Sequence, residues 1–233
     1  MAFEDKLVQI EQIVKPQYDR LKLWAHAWPH VRRVATNSRD LALLTGADPI
    51  ACQIAAYCHD LGRVVEEATT GAKTDLGNAD HSLDSIELTS DLLKEVGVKG
   101  YTFSSVVGAV AVHADKLYHG KNLVAKVLMD SDKRDSLGPW GTLRHINHHW
   151  SHDLVDTEEI MQNQNNPRQI RILADETLRR IKEGDVTKKD KYLKVLGFVL
   201  EWIDNKMLGT EQAYDFVRQD YEFTKQSKAF LLK

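Results

Sequence analysis

Residues 48–63, DPIACQIAAYCHDLGR, run apolar from Ile50 to Cys58 with one break at Gln53, then place His59, Asp60 and Arg63 at the end of the run. Asp48 followed by Pro49 is a helix start. The aspartate can accept hydrogen bonds from the first free amides, and proline suits the first helical position because it has no N–H to leave unpaired. A helix apolar on almost every side belongs at the centre of a core rather than on a surface. Its polar end is then the feature to explain, because a histidine and a carboxylate are costly to bury without partners. A divalent cation would take the imidazole lone pair and neutralise the carboxylate. Taken alone, the His-Asp pair equally fits a helix-terminal histidine beside an exposed aspartate.

Working outward, helical spacing dominates and the alternation of strands is scarce, so the expected fold class is all-α, in a single domain spanning 1–233. Pro29 opens a helix running to about Leu44, with Gly46 as its stop. Upstream, 3–22 begins with amphipathic spacing and carries Pro16, which is placed to kink or divide it. Downstream, RVVEEATTGAKTDLGNA at 63–79 is rich in turn formers and is expected to form a loop over a site, where it would govern substrate choice. Helical spacing resumes from about Asp80 to Val96, Thr102 to Ala114 and Leu123 to Leu137, with stops at Gly97 and Gly138. Residues 140–231 read as further amphipathic helices broken near Gly184 and Gly209.

The 31 basic and 34 acidic residues leave a net charge of −3, so no global field draws the chain to nucleic acid or anionic lipid. A phosphate-bearing partner must therefore be held locally. The two cysteines, Cys52 and Cys58, lie in the apolar helix and propose neither a disulfide framework nor a thiolate zinc site. The first residues, MAFEDKLVQIEQIVKP, mix charge among their apolar positions, and no later stretch is long and apolar enough to span a bilayer; a cytoplasmic protein is expected.

Two further contexts join the central pair in AAYCHDLGR: HVRRVA around His30 and DSDKRDSLG around Asp130 and Asp132. Histidine, then His-Asp, then aspartate, in these surroundings over about 24–150, resembles the HD-domain superfamily of metal-dependent phosphohydrolases. The resemblance implies a compact multi-helix core over about 24–150 with a C-terminal helical extension over about 151–233. It also implies metal ligation by His30, His59, Asp60 and Asp132. Asp132 is preferred to Asp130 because the family's last ligand usually follows a small residue and often precedes a basic one, as in Ser131-Asp132-Lys133.

His81 and His113 fall between the ligands, where family members place either contacts to the substrate phosphate or ligands to a second ion. Relatives that cleave cyclic dinucleotides at two metals carry a GYP signature, absent here, so one divalent ion (Mn, Mg, Fe, Co, Ni or Zn) is expected, with room in the order for a second. The bland reading makes His113 a packed helix end and His81 a surface residue. Arg63, His81 and Lys133 are candidates to stabilise charge on phosphoryl oxygens, and Asp130 to orient water or a ligand histidine. Arg63 and Lys133 equally fit solvated surface positions.

His26 is followed by Ala27 where relatives often have aspartate, so the family pattern assigns it no role. His145, His149 and His152 share helical spacing and fit a solvated or interface face, and Trp24, Trp28 and Tyr57 fit core packing better than a base pocket. The expected activity is hydrolysis of a phosphate ester or anhydride of a nucleotide or small phosphorylated metabolite. The alternatives are a non-catalytic nucleotide sensor and a di-iron oxygenase on the same core. The C-terminal helices either complete the core or form a homodimer surface.

Overall fold

The computed structural model describes residues 3–22, 24–70, 81–115, 118–149, 154, 156–184 and 186–233. Among them every regular element is helical and no strand occurs, as the spacing predicts. In chain order these are α1 (Phe3–Tyr18), a 3₁₀ turn (Trp24–His26), α2 (Trp28–Thr45), α3 (Pro49–Cys58), α4 (Leu61–Thr70), α5 (His81–Glu95), α6 (Gly100–Val112) and α7 (Leu123–Asp135). There follow α8 (Gly138–His149), α9 (Thr157–Gln162), α10 (Pro167–Glu183), α11 (Val186–Asp204), α12 (Glu211–Phe216) and α13 (Arg218–Leu232). No helix among the described residues is long and apolar enough to cross a membrane.

The start and stop signals act as their chemistry requires. The Asp48 carboxylate accepts from the amides of Ile50 at 2.9 Å and Ala51 at 3.1 Å, closing the open end of α3. Pro29 sits in the first turn of α2, and Gly46 ends it in the left-handed region at φ 75°, its amide returning to the Ala42 carbonyl. Pro16 falls in the last turn of α1 and does not divide it.

The loop expected from residue 63 is corrected: through Thr70 the chain is helical, as α4. Turn-forming composition misled because the Thr69 hydroxyl bonds to the carbonyls of Val65 and Glu66, both at 3.0 Å, inside the helix rather than across a turn. Leu61 and Glu66 are buried while Thr69 faces solvent, the one-sided burial of a packed helix. Residues 71–79 of the expected loop lie outside the described residues.

The chain divides into two compact units, Met1–Asp132 with Gly209–Ala213, and Lys133–Leu208 with Tyr214–Lys233. In the first, α3 packs against α1, α2, α5 and α6, and α4 lies on α5. Seven of its residues are buried, Ala51, Cys52, Ile54, Ala55, Ala56, Tyr57 and Cys58, so the end of α3 delivers His59 and Asp60 into the interior. In the second, α8, α10 and α13 pack on one another and α11 on α10 and α13.

Gly62 sets how closely α4 meets α5. Its amide donates to Ser85 Oγ at 2.8 Å, and a Cβ there would run into the backbone carbonyl of His81. Because backbone cannot swing aside as a side chain can, Gly62→Ala is expected to cost about 2 to 3 kcal/mol. A urea titration checks this as a lowered midpoint at unchanged slope.

Candidate metal centre

Six chain segments of the first unit bring their polar side chains together. His26 ends the 3₁₀ turn, His30 lies in the first turn of α2, and His59 and Asp60 join α3 to α4. His81 opens α5, His113 follows α6, and Asp132 lies in α7. The imidazoles form a chain of edge-on neighbours. Centroids are 6.0 Å apart for His26 and His30, 5.4 Å for His30 and His59, and 5.5 Å for both His59 with His113 and His81 with His113. His30 and His59 are each 1% exposed and Asp60 is 4% exposed, so these groups depend on one another rather than on water.

Asp60 is the hub. On the side of Oδ2 lie His26 Nδ1 at 2.7 Å, His59 Nε2 at 3.5 Å and His30 Nε2 at 3.8 Å. On the side of Oδ1 lie His81 Nε2 and His113 Nε2, both at 3.8 Å, and Arg63 Nε at 4.0 Å. His30 Nε2 is also 3.5 Å from Asp132 Oδ1. Possible ligand atoms therefore gather in three overlapping sets: His26, His30 and Asp60; His30, His59 and Asp132; Asp60, His81 and His113.

Two details fit a divalent cation. His59 Nδ1 lies 2.7 Å from the Ala56 carbonyl and His113 Nδ1 2.6 Å from that of Val110. A carbonyl oxygen only accepts, so Nδ1 carries the proton in each ring and the neutral ring presents an Nε2 lone pair to the cluster. His59 Nε2 is buried without a hydrogen-bond partner, the condition of an atom that a cation would satisfy.

The charge states follow from position. Burial alone would raise the Asp60 carboxyl, but the imidazoles gathered around it, those of His59, His26 and His113, outweigh burial and hold it well below the usual carboxylate range. Burial pushes the His81 imidazole down against the opposing pull of Asp60. At His113 burial acts downward too, yet Asp60 and the Val110 carbonyl outweigh it and the imidazole is raised.

The remaining sequence candidates are distributed unequally. Arg63 donates from Nη1 to Glu66 Oε2 at 2.7 Å, leaving its buried Nε without a hydrogen-bond partner beside Asp60. Asp130 accepts from Gly209 N at 2.7 Å, Thr210 N at 2.9 Å and Thr210 Oγ1 at 2.8 Å. Lys133 donates to the Met207 carbonyl at 2.7 Å. Neither Asp130 nor Lys133 belongs to the three ligand sets found among the described residues. Trp28 stacks on Tyr57 with centroids 5.5 Å apart, both buried, as core packing requires. His145 is half-buried in α8, whereas the His149 side chain and His152 lie outside the described residues. Sequence reasoning gave His26 no role and did not single out Glu66. Their signals were His26 four residues before His30, and Glu66 one helical turn after Arg63.

Residues 28–137 match the HD domain family. Over those residues the chain thus carries an HD domain. Solved structures share the fold along nearly the whole chain. Bacillus subtilis YpgQ in complex with ADP is 20% identical, covering 99% of this chain and 95% of that one, at a TM-score of 0.63. A predicted HD superfamily hydrolase from an uncultured Thermotogales bacterium is 23% identical, covering 85% and 91%, at 0.51. The Lin1889 protein of Listeria innocua is 15% identical, covering 100% and 97%, at 0.57. No curated protein sequence matches the chain.

Proposed function

We propose that the protein hydrolyses a phosphate ester or anhydride of a nucleotide, with one divalent ion held by His30, His59, Asp60 and Asp132. The observation that carries this is the set formed by His30, His59 and Asp132 around the buried, unpartnered His59 Nε2, with Asp60 Oδ2 3.5 Å from that nitrogen. The ion would supply Lewis acidity to water and phosphoryl oxygen. Around it, Arg63 Nε and His81 are the donors available to phosphoryl oxygens, and Asp60, kept ionised among imidazoles, holds the neighbouring rings in register. His113, raised by Asp60, can give or take a proton at Nε2. A nucleotide is the substrate class favoured because the similarly folded YpgQ binds ADP.

The test is bound metal by mass spectrometry on wild type and Asp132→Ala, with phosphate and pyrophosphate release from a panel of nucleoside phosphates. Wild type is expected to hold about one ion per chain and to hydrolyse a member of the panel, and the variant to lose both. A wild-type protein that binds no divalent ion would sink the reading.

One arrangement favours a second reading. Asp60 Oδ1 with His81 and His113 forms a further ligand set, so these residues would hold a second ion in a di-iron oxygenase on the same core. Two irons per chain, visible colour and oxygen uptake would select it; colourless protein releasing phosphate would reject it.

A further inference from the structure

His26 makes the shortest polar contact to Asp60 in the cluster, Nδ1 to Oδ2 at 2.7 Å, although the HD pattern assigns it nothing. The ionised carboxylate can only accept, so Nδ1 carries the proton and His26 donates. At His26 the nitrogen that meets Asp60 is the protonated one, which has no lone pair for a cation, whereas at His59 and His113 the Nδ1 protons go to backbone carbonyls and it is Nε2 that faces Asp60. The consequence falls on Asp60. Its Oδ2 accepts from His26 on one lone pair and keeps the other, on the side shared with His59 and His30, while Oδ1 is left to His81, His113 and Arg63.

The local chain is built to hold this contact. His26 is not on α2 but on the 3₁₀ turn before it, between the buried Ala25 and Ala27, and the Ala27 amide closes that turn on the Trp24 carbonyl at 3.2 Å. The His26 side chain is only 15% exposed and its ring stands edge-on to His30.

We propose that His26 is a positioning residue, its Nδ1–H fixing the rotation of the Asp60 carboxylate so that Oδ2 is presented to the His30, His59 and Asp132 side. The inference rests on the metal-centre reading above. It assigns His26 to the ligand's orientation and not to the ligand shell.

The full-length, metal-free protein is titrated with Mn²⁺ by calorimetry as wild type, His26→Ala, His26→Asn and His26→Gln. Pulsed electron paramagnetic resonance then counts the imidazole nitrogens bound to the ion. The amide nitrogen of Asn can stand near Nδ1, whereas that of Gln stands nearer Nε2. His26→Ala and His26→Gln are expected to weaken Mn²⁺ binding about 10- to 100-fold, with His26→Asn restored to within about threefold of wild type. The imidazole count should be the same in wild type and in His26→Ala. Unaltered affinity in His26→Ala overturns the inference, and so does the loss of one imidazole, which would make His26 a ligand. Should His26→Ala fail to fold, the Asn and Gln variants carry the comparison, and equal affinity in those two overturns it. Wild type that binds no Mn²⁺ or other divalent ion overturns the metal-centre reading itself, and the inference with it.

Discussion

Asp60→Asn is expected to abolish divalent-metal binding and to cut hydrolysis at least about a thousandfold, a loss of roughly 4 kcal/mol in transition-state stabilisation. The substitution keeps the shape of the side chain and removes only its charge. That charge faces His26, His30 and His59 from one oxygen and His81, His113 and Arg63 from the other, so its removal disarms both sides of the cluster at once. The readout that isolates metal from chemistry is unfolding with and without the ion. A ligand bound only by the folded state adds about 2.7 kcal/mol at a hundredfold excess over its Kd. Wild type should show that gain and Asp60→Asn should show none, while both keep the same helical signal. An Asp60→Asn protein that still gained stability from the metal would show that Asp60 is not a ligand.

What the sequence reveals of this architecture is what is encoded locally. Asp48-Pro49, Pro29 and Gly46 act through their own backbone chemistry, and each does in the fold what it does in isolation. The helical run to Thr70 was not legible because Thr69 serves turns and helices alike, and only the packing of α4 on α5, through Gly62 and Ser85, selects the helix. Likewise, the order of His30, His59, Asp60 and Asp132 is visible along the chain. What the neighbouring side chains do depends on partners that the order does not name. His26, followed by Ala27, draws no role from the family pattern, yet its ring bonds to Asp60, and Glu66, which no motif marks, is 5% exposed and paired with Arg63. Asp130 and Asp132 were separable only by analogy, because the partners of Asp130 lie 79 and 80 residues further on.

Those two aspartates supply the second large effect, and they divide stability from metal. Asp130 is fully buried and spends its carboxylate on two backbone amides and a hydroxyl of Gly209 and Thr210. The approach is close: a Cβ on Gly209 would stand 3.0 Å from Lys126 Cβ, so the 209–210 backbone lies directly on α7. Asp130→Ala removes one acceptor and strands three donors. Hydrogen bonds to a carboxylate contribute about 1.5 to 3 kcal/mol each, and although the losses will not add fully, a destabilisation of about 3 to 5 kcal/mol is expected. Asp132 differs in every respect that matters here: its side chain is 33% exposed and faces His30. In metal-free protein Asp132→Ala should therefore unfold within about 1 kcal/mol of wild type. Urea titrations in chelator, paired with metal titrations of the same two variants, make the comparison. Asp130→Ala should lose stability and, while folded, still bind the ion, whereas Asp132→Ala should keep its fold and lose the ion. The reverse pattern would hand the ligand's role to Asp130, since only direct coordination could make a residue indispensable to the ion while its loss left the metal-free fold intact.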